Sequence, residues 1–494
     1  MRKSGILLPI SSIPSEYGIG TFSKQAYAFV DFLEQAGQKL WQILPLGPTG
    51  YGDSPYQSFS TFAGNPYYID LVTLIEQGYL TRKDCDAADF GDDPEYVDYE
   101  KIYFQRFKLL KKAYAVALEK GLDKEPIYRE FLSRNAYWLE DYALYMAVKT
   151  RFDSVCWIEW DEDIRLRKPM AVKKYQRALA YEIGFYRFQQ FMFYTQWSAL
   201  KAYANKKGIE IIGDIPIYVA FDSADTWANP ELFQLDENNL PIGVAGCPPD
   251  AFSETGQLWG NPLYKWEYHK ETGYDWWMKR IAYCYELYDI VRIDHFRGFD
   301  AYWSVPYGDE TAQYGHWVQG PGYELFQTMK EKLGKKKVIA EDLGFLTDSV
   351  LKLVKKTGFP GMKILQFAFD GSPENAYLPH NYPENCIVYT GTHDNETMMG
   401  WYRNVAPKYR RCAKKYLNIA ARKDVQWYFI RAALSSVAET AIIPLQDYLG
   451  LGDEARINIP STLGENWKWR MKKGACTPEL AVKIYEVTKM YGRL

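Results

Sequence analysis

Asp294 closes the apolar run Val291-Arg292-Ile293, Glu341 follows Val338-Ile339-Ala340, and Asp394 follows Ile387-Val388-Tyr389 and the polar step Thr390-Gly391-Thr392-His393. A strand that turns polar at its last residue is how a parallel barrel presents reactive groups at its carboxyl-end face. Carboxylates drawn from separate strands to one cleft suit cleavage of a glycosidic bond, where one attacks the anomeric carbon and another moves the proton. Arg292 and Asp294 are two residues apart, so on a strand they point the same way. The guanidinium would then orient the carboxylate and keep it ionised. Asp214, after Ile209–Ile212 and Gly213, fits the same face, and His393 adds a polar group beside Asp394. Plainer readings exist for each signal: a buried Arg–Asp pair can be purely structural, and Glu341 or Asp342 could cap a helix. Four strand ends bearing acids favour the catalytic reading.

Those acids need a scaffold. Strand-like runs alternate with helical patterns, which argues for parallel βα units. Eight runs are expected as strands: Gly5–Ile10, Leu40–Leu44, Ile209–Ile212, Ile290–Ile293, Lys337–Ala340, Met362–Phe369, Ile387–Tyr389 and Ala441–Leu445. Ser23 is expected to cap a helix that runs through Ala36 and stops at Gly37. Further helices are expected over Asp348–Lys356, closed by Gly358, and Asp424–Val437. The fold class is therefore α/β, a (β/α)8 barrel in one domain over residues 1–494. Two excursions interrupt it: a mainly helical insertion over about residues 75–175, and a Pro/Gly/Trp-rich active-site loop over about 221–273. A long loop without periodicity in a compact domain is usually functional. The chain ends near the last barrel helix, so no separate C-terminal β-domain is expected.

The 494 residues carry a net charge of -3, which gives no reason to expect nucleic acid or an anionic membrane as a partner. No run approaches the roughly 18 apolar residues of a membrane span. The short N-terminal stretch Ile6-Leu7-Leu8 is broken by Pro9, so it reads as a strand and not as a signal peptide. The seven cysteines are odd in number and form no CxxC pair, which points to reduced thiols and a cytoplasmic location. No GxGxxG, P-loop, HExxH or zinc-like spacing occurs. Aromatic residues make up 17% of the chain. Most must serve the core, but Tyr and Trp also stack on the C–H faces of sugar rings. Two loops have that character: Tyr51–Ser60, which carries Ser54 and Tyr56, and Gly246–Pro262, which carries Phe252, Gln257 and Trp259. Either could instead be an ordinary surface turn.

At these motifs the chain resembles the 4-α-glucanotransferases, glycoside hydrolase family 77 of the α-amylase clan, which include amylomaltase and the plant-type disproportionating enzyme. The resemblance rests on Gly213-Asp214-Ile215-Pro216-Ile217-Tyr218, Phe252-Ser253-Glu254-Thr255-Gly256-Gln257, Trp259-Gly260-Asn261-Pro262, Arg292-Ile293-Asp294-His295-Phe296-Arg297-Gly298, Ala340-Glu341-Asp342-Leu343-Gly344 and Gly391-Thr392-His393-Asp394-Asn395. It implies Asp294 as nucleophile, Glu341 as acid/base and Asp394 as the third acid. It also implies Tyr56, Asp214, Arg292 and His393 around the cleaved sugar, with Ser54, Phe252, Gln257, Trp259, Phe367 and Asp370 as further substrate contacts. Implied donors and acceptors are maltooligosaccharides and α-1,4-glucans, with glucose as an acceptor and cyclic glucans as further products. The third-strand motif lacks the Asn-His pair of the wider clan, so no metal and no cofactor are expected. An α-1,4-glucan hydrolase is the alternative within the same chemistry, and a catalytically dead glucan-binding protein is the alternative outside it.

Overall fold

The computed structural model describes residues 2–50, 52–249, 253–344, 346–420 and 423–494. Eight strands form its central sheet: β1 (Lys3–Leu7), β2 (Leu40–Gln42), β3 (Glu210–Ile215), β4 (Ile290–Ile293), β5 (Val338–Ala340), β6 (Gly361–Ile364), β7 (Cys386–Tyr389) and β8 (Thr440–Pro444). Every pairing is parallel, in the order β6-β7-β8-β1-β2-β3-β4-β5. The two ends meet at a seam between β5 and β6. There the Ala340 N–H donates to Pro360 O at 3.0 Å, and Asp342 Oδ1 accepts from the Met362 N–H at 2.7 Å. The sheet is thus a nearly closed barrel.

Period-two alternation sorts the strand residues into two layers. Leu7, Leu40, Ile212, Ile339, Met362, Ile364, Ile387, Tyr389 and Ile442 pack together inside the barrel. Their sequence neighbours Ile6, Trp41, Ile211, Val388 and Ile443 join the larger core beneath the helices. The same alternation carries Asp214, Arg292 and Glu341 inward at the carboxyl end of the barrel, because each lies two residues beyond an inward-facing position.

Helices surround the sheet. α1 (Lys24–Gln35) links β1 to β2. Ser23 occupies its N-cap position, but its hydroxyl bonds to Ser15 Oγ at 2.6 Å and makes no side-chain cap; its backbone oxygen accepts from the Ala26 N–H instead. Gly37, with φ of 68°, ends the helix. Between β2 and β3 stand the long helices α2 (Tyr99–Glu119), α3 (Pro126–Arg151) and α4 (Ala180–Lys206). α4 packs on α1 and β3, while α2 and α3 lie against α4. α5 (Asp275–Leu287), α6 (Tyr323–Leu333), α7 (Asp348–Thr357), α8 (Gln426–Ser435) and α9 (Pro478–Met490) complete the ring.

Several expected bounds shift. The first strand ends at Leu7, and Ile10–Ser12 is a 3-10 turn. The sixth ends at Ile364 because the chain coils into a 3-10 turn at Leu365–Phe367. The excursion after β3 is more ordered than its composition suggests. Gly243–Cys247 and Gln257–Pro262 are strands, joined with Ala301–Pro306 and His316–Gln319 into a separate four-stranded antiparallel sheet. These strands are short and hold glycines, and Gly243–Cys247 is buried on both faces while His316–Gln319 is largely exposed, so no clean alternation marks them.

Candidate active site

The strand ends converge as the alternation requires. The Arg292 guanidinium, 3% exposed, bonds Asp214 Oδ2 at 2.5 Å and lies 3.0 Å from Asp294 Oδ1. The Tyr56 hydroxyl donates to Asp214 Oδ2 at 2.7 Å and sits 2.9 Å from His393 Nε2. The Tyr56 and His393 rings stack with centroids 5.3 Å apart. His393 Nε2 in turn lies 3.2 Å from Asp394 Oδ2. Six of the residues singled out by sequence, Tyr56, Asp214, Arg292, Asp294, His393 and Asp394, therefore form one continuous polar network drawn from β3, β4, the β7 loop and the loop after β2.

Glu341 approaches from β5. Its Oε2 accepts the His295 N–H at 2.7 Å and its Oε1 accepts the Leu343 N–H at 3.1 Å. His295 has φ of 49°, in the left-handed region, at the turn that follows β4. Backbone bonds from Asp294 N to Ile215 O (2.9 Å), Glu341 N to Ile293 O (3.1 Å) and Phe296 N to Glu341 O (3.1 Å) tie the ends of β3, β4 and β5 together.

The three acids differ in electrostatics. Burial pushes Glu341 up to about 8, and the nearby Asp294 adds to the rise. Burial lifts Asp294 to about 6, with Arg292 restraining it against the Asp214 and Asp394 charges. Burial also works against ionised Asp394, but His393 and the Asn458 amide overcome it and hold the carboxyl at about 2. The side chains of Asp294 and Asp394 remain 29% and 40% exposed, so both open onto the cleft. A carboxyl that keeps its proton at neutral pH beside two that do not is the pairing needed for acid-assisted displacement at an acetal carbon.

Other residues frame this centre. The Trp259 ring meets the His295 imidazole edge to face at 4.7 Å, and its indole N–H donates to Gln257 Oε1 at 3.2 Å. Ser54 Oγ accepts the Tyr56 N–H at 3.3 Å, so it shapes the loop that presents Tyr56. Phe367, 39% exposed, packs edge-on against Tyr377 on the turn after β6. Asp370, also exposed, caps its own turn by accepting the Ser372 N–H at 2.9 Å. Neither Phe367 nor Asp370 is part of the polar network. Phe252 lies outside the described residues. Among the described residues no cluster of three His, Cys, Asp or Glu side chains could hold a metal ion.

The structure adds two residues that the sequence did not single out. Asn458 donates to Asp394 Oδ1 at 2.6 Å, and Arg456 donates to the Asp394 backbone oxygen at 2.8 Å. Both lie on a loop without strand or helix periodicity, where no pattern marks them.

The chain matches the family model described as 4-alpha-glucanotransferase over residues 8–477. It is 54% identical to a 4-alpha-glucanotransferase of Clostridium butyricum, over 98% of this chain and 99% of that one. It is 46% identical to a 4-alpha-glucanotransferase of Thermus thermophilus, over 100% and 99% of the two chains. The amylomaltase of Streptococcus agalactiae, solved with acarbose, superposes with a TM-score of 0.97 at 44% identity over the whole of both chains.

Proposed function

We propose a division of labour among these side chains for a protein that belongs to the 4-alpha-glucanotransferase family, glycoside hydrolase family 77, and moves α-1,4-glucan segments from a donor to an acceptor. Asp294, ionised, attacks the anomeric carbon of the donor. Glu341, protonated, gives its proton to the departing glycosidic oxygen, and a covalent glucosyl-enzyme forms with inversion. The acceptor 4-hydroxyl then enters, returns a proton to Glu341 as it attacks, and displaces Asp294 with a second inversion. Net configuration is retained. Arg292 holds Asp294 in its charged form; Asp394, charged and braced by His393 and Asn458, grips the hydroxyls of the donor ring as it flattens. Tyr56 and Asp214 complete that pocket. Gln257 and Trp259 shelter the acceptor and exclude water, which favours transfer over hydrolysis.

The observation that carries this reading is geometric: the Arg292 guanidinium lies 3.0 Å from Asp294 Oδ1, while Glu341, on the neighbouring strand end, accepts the His295 and Leu343 N–H groups and is pushed up by burial. Maltooligosaccharides serve as donor and acceptor, glucose serves as acceptor, and intramolecular transfer closes cyclic glucans. The seven cysteines, none in a disulfide among the described residues, support a reducing, cytoplasmic setting for this work. Incubation of the purified protein with maltotriose tests the reading. Glucose and longer oligomers without new reducing ends support it; glucose and maltose with a matching rise in reducing ends would make it a hydrolase.

A further inference from the structure

A second cavity, of about 190 Å3, lies away from the strand ends, between α3, the start of α5 and the segment around Ala224–Leu232. One enclosed water needs only ~10–15 Å3 by the same measure, so the space takes about a dozen non-hydrogen atoms, the size of one glucosyl unit. Its lining combines rings with acceptors. Tyr137 and Trp276 line it, each set edge to face on the Phe62 ring, at 5.7 and 6.4 Å. Tyr137 is 50% exposed. Asp141, Glu231 and Asp275 present carboxylates; Arg167 pairs with Asp141 at 2.5 Å and Lys279 with Asp275 at 2.7 Å.

This chemistry narrows the ligand. More carboxylate than ammonium lines the space, which repels phosphates and acidic sugars. Asp141 on α3, Asp225 and Glu231 on the Ala224–Leu232 segment, and Asp275 at the start of α5 bring the carboxylates to the cavity from three separate stretches of chain. Spread acceptors beside a half-exposed ring match a neutral polyhydroxylated ring, whose C–H face stacks and whose hydroxyls donate. The inner wall includes Ser60 and Phe62, from the loop that carries Tyr56. That wall is pinned by the Thr61 N–H donating to Asp225 Oδ2 at 2.8 Å.

We propose that this cavity is a remote glucosyl-binding site that holds a distant segment of a long α-1,4-glucan while another segment reacts. The assignment rests on the glucan-transferring function given above. The test compares wild type with Tyr137→Ala and with the Tyr137→Ala/Asp275→Ala double variant, both at partly exposed positions outside the catalytic network. KM and kcat are measured with long amylose and with maltotriose, and maltoheptaose is titrated calorimetrically into each protein. Site loss raises the amylose KM roughly three- to tenfold, the scale of one aromatic contact, leaves maltotriose kinetics unchanged, and removes one class of maltoheptaose site. An unchanged amylose KM overturns the proposal. So does an equal rise in KM for both substrates, which would place the effect in the Tyr56 loop. Wild type inactive on maltotriose would instead overturn the function on which the proposal rests.

Discussion

Asn458 donates its side-chain amide to Asp394 Oδ1 at 2.6 Å. The bond leaves the other carboxylate oxygen to His393, so the orientation of Asp394 is fixed from both sides. Removing a hydrogen bond to a charged group costs about 1.5–3 kcal/mol, and the exposed edge of Asp394 places this one at the low end. Asn458→Ala is expected to lower kcat on maltotriose about tenfold with little change in melting temperature. A loss confined to thermal stability would make Asn458 a loop brace only.

The activity should be bell-shaped in pH. As pH falls through about 6, Asp294 takes up a proton and stops acting as a nucleophile. As pH rises through about 8, Glu341 loses the proton it must deliver. The two groups interact, so the limbs belong to the pair. Initial rates of maltotriose disproportionation between pH 4 and pH 10, at subsaturating substrate, would refute the assignment if the alkaline limb were missing.

Asp294→Asn keeps the shape of the side chain and removes the carboxylate proposed to attack. Turnover should fall by several powers of ten, as is usual for a covalent nucleophile, with the circular dichroism spectrum unchanged. A variant that retained more than about a tenth of the wild-type rate would assign the attack elsewhere.

Trp259 packs on His295, the residue between Asp294 and the turn that follows. Trp259→Ala should lower transfer more than hydrolysis, because water needs no ring to lie on. The ratio of transfer products to new reducing ends from maltotriose reads this. Equal losses in both would reduce Trp259 to a support of its loop.

The barrel seam gives a prediction about stability. A Cβ added at Gly361 would stand 2.2 Å from Asp342 Oδ2 and displace the carboxylate from the Met362 N–H. Gly361→Ala should destabilise by about 1–3 kcal/mol, the cost of stranding a buried polar group. Chemical denaturation would show it as a lower midpoint with an unchanged slope.

The convergence of the acids at one end of the barrel was legible because it depends on strand alternation. Arg292, Asp294, Glu341 and Asp214 each sit at the polar tip of an apolar run, and the period of two fixes their direction. Asn458 and Arg456 were not legible: a loop has no period, and their relation to Asp394 exists only after more than sixty residues of chain have folded back. The antiparallel sheet escaped for a related reason. Its two halves pair across roughly sixty residues, Gly243 with Pro306 and Gly246 with Trp303, and even the nearer register of Trp303 against Trp317 leaves no local trace beyond two short aromatic stretches. Ser23 shows a subtler limit: the N-cap position was readable, but the hydroxyl chose Ser15 over the helix.

That sheet has a consequence for how such a protein can diverge. Two of its strands come from the chain after β3 and two from the chain after β4, and it packs on the main core through Ala245, Tyr302 and Trp259. The exposed tip at Pro306–Gly308 can change composition while Asp294 and Glu341 stay anchored by the backbone bonds among β3, β4 and β5, whereas buried Ala312, bonded to Thr255 and Trp303, holds the rest of the turn in place. Composition at that exposed tip is thus separable from the side chains to which bond making and breaking are ascribed above.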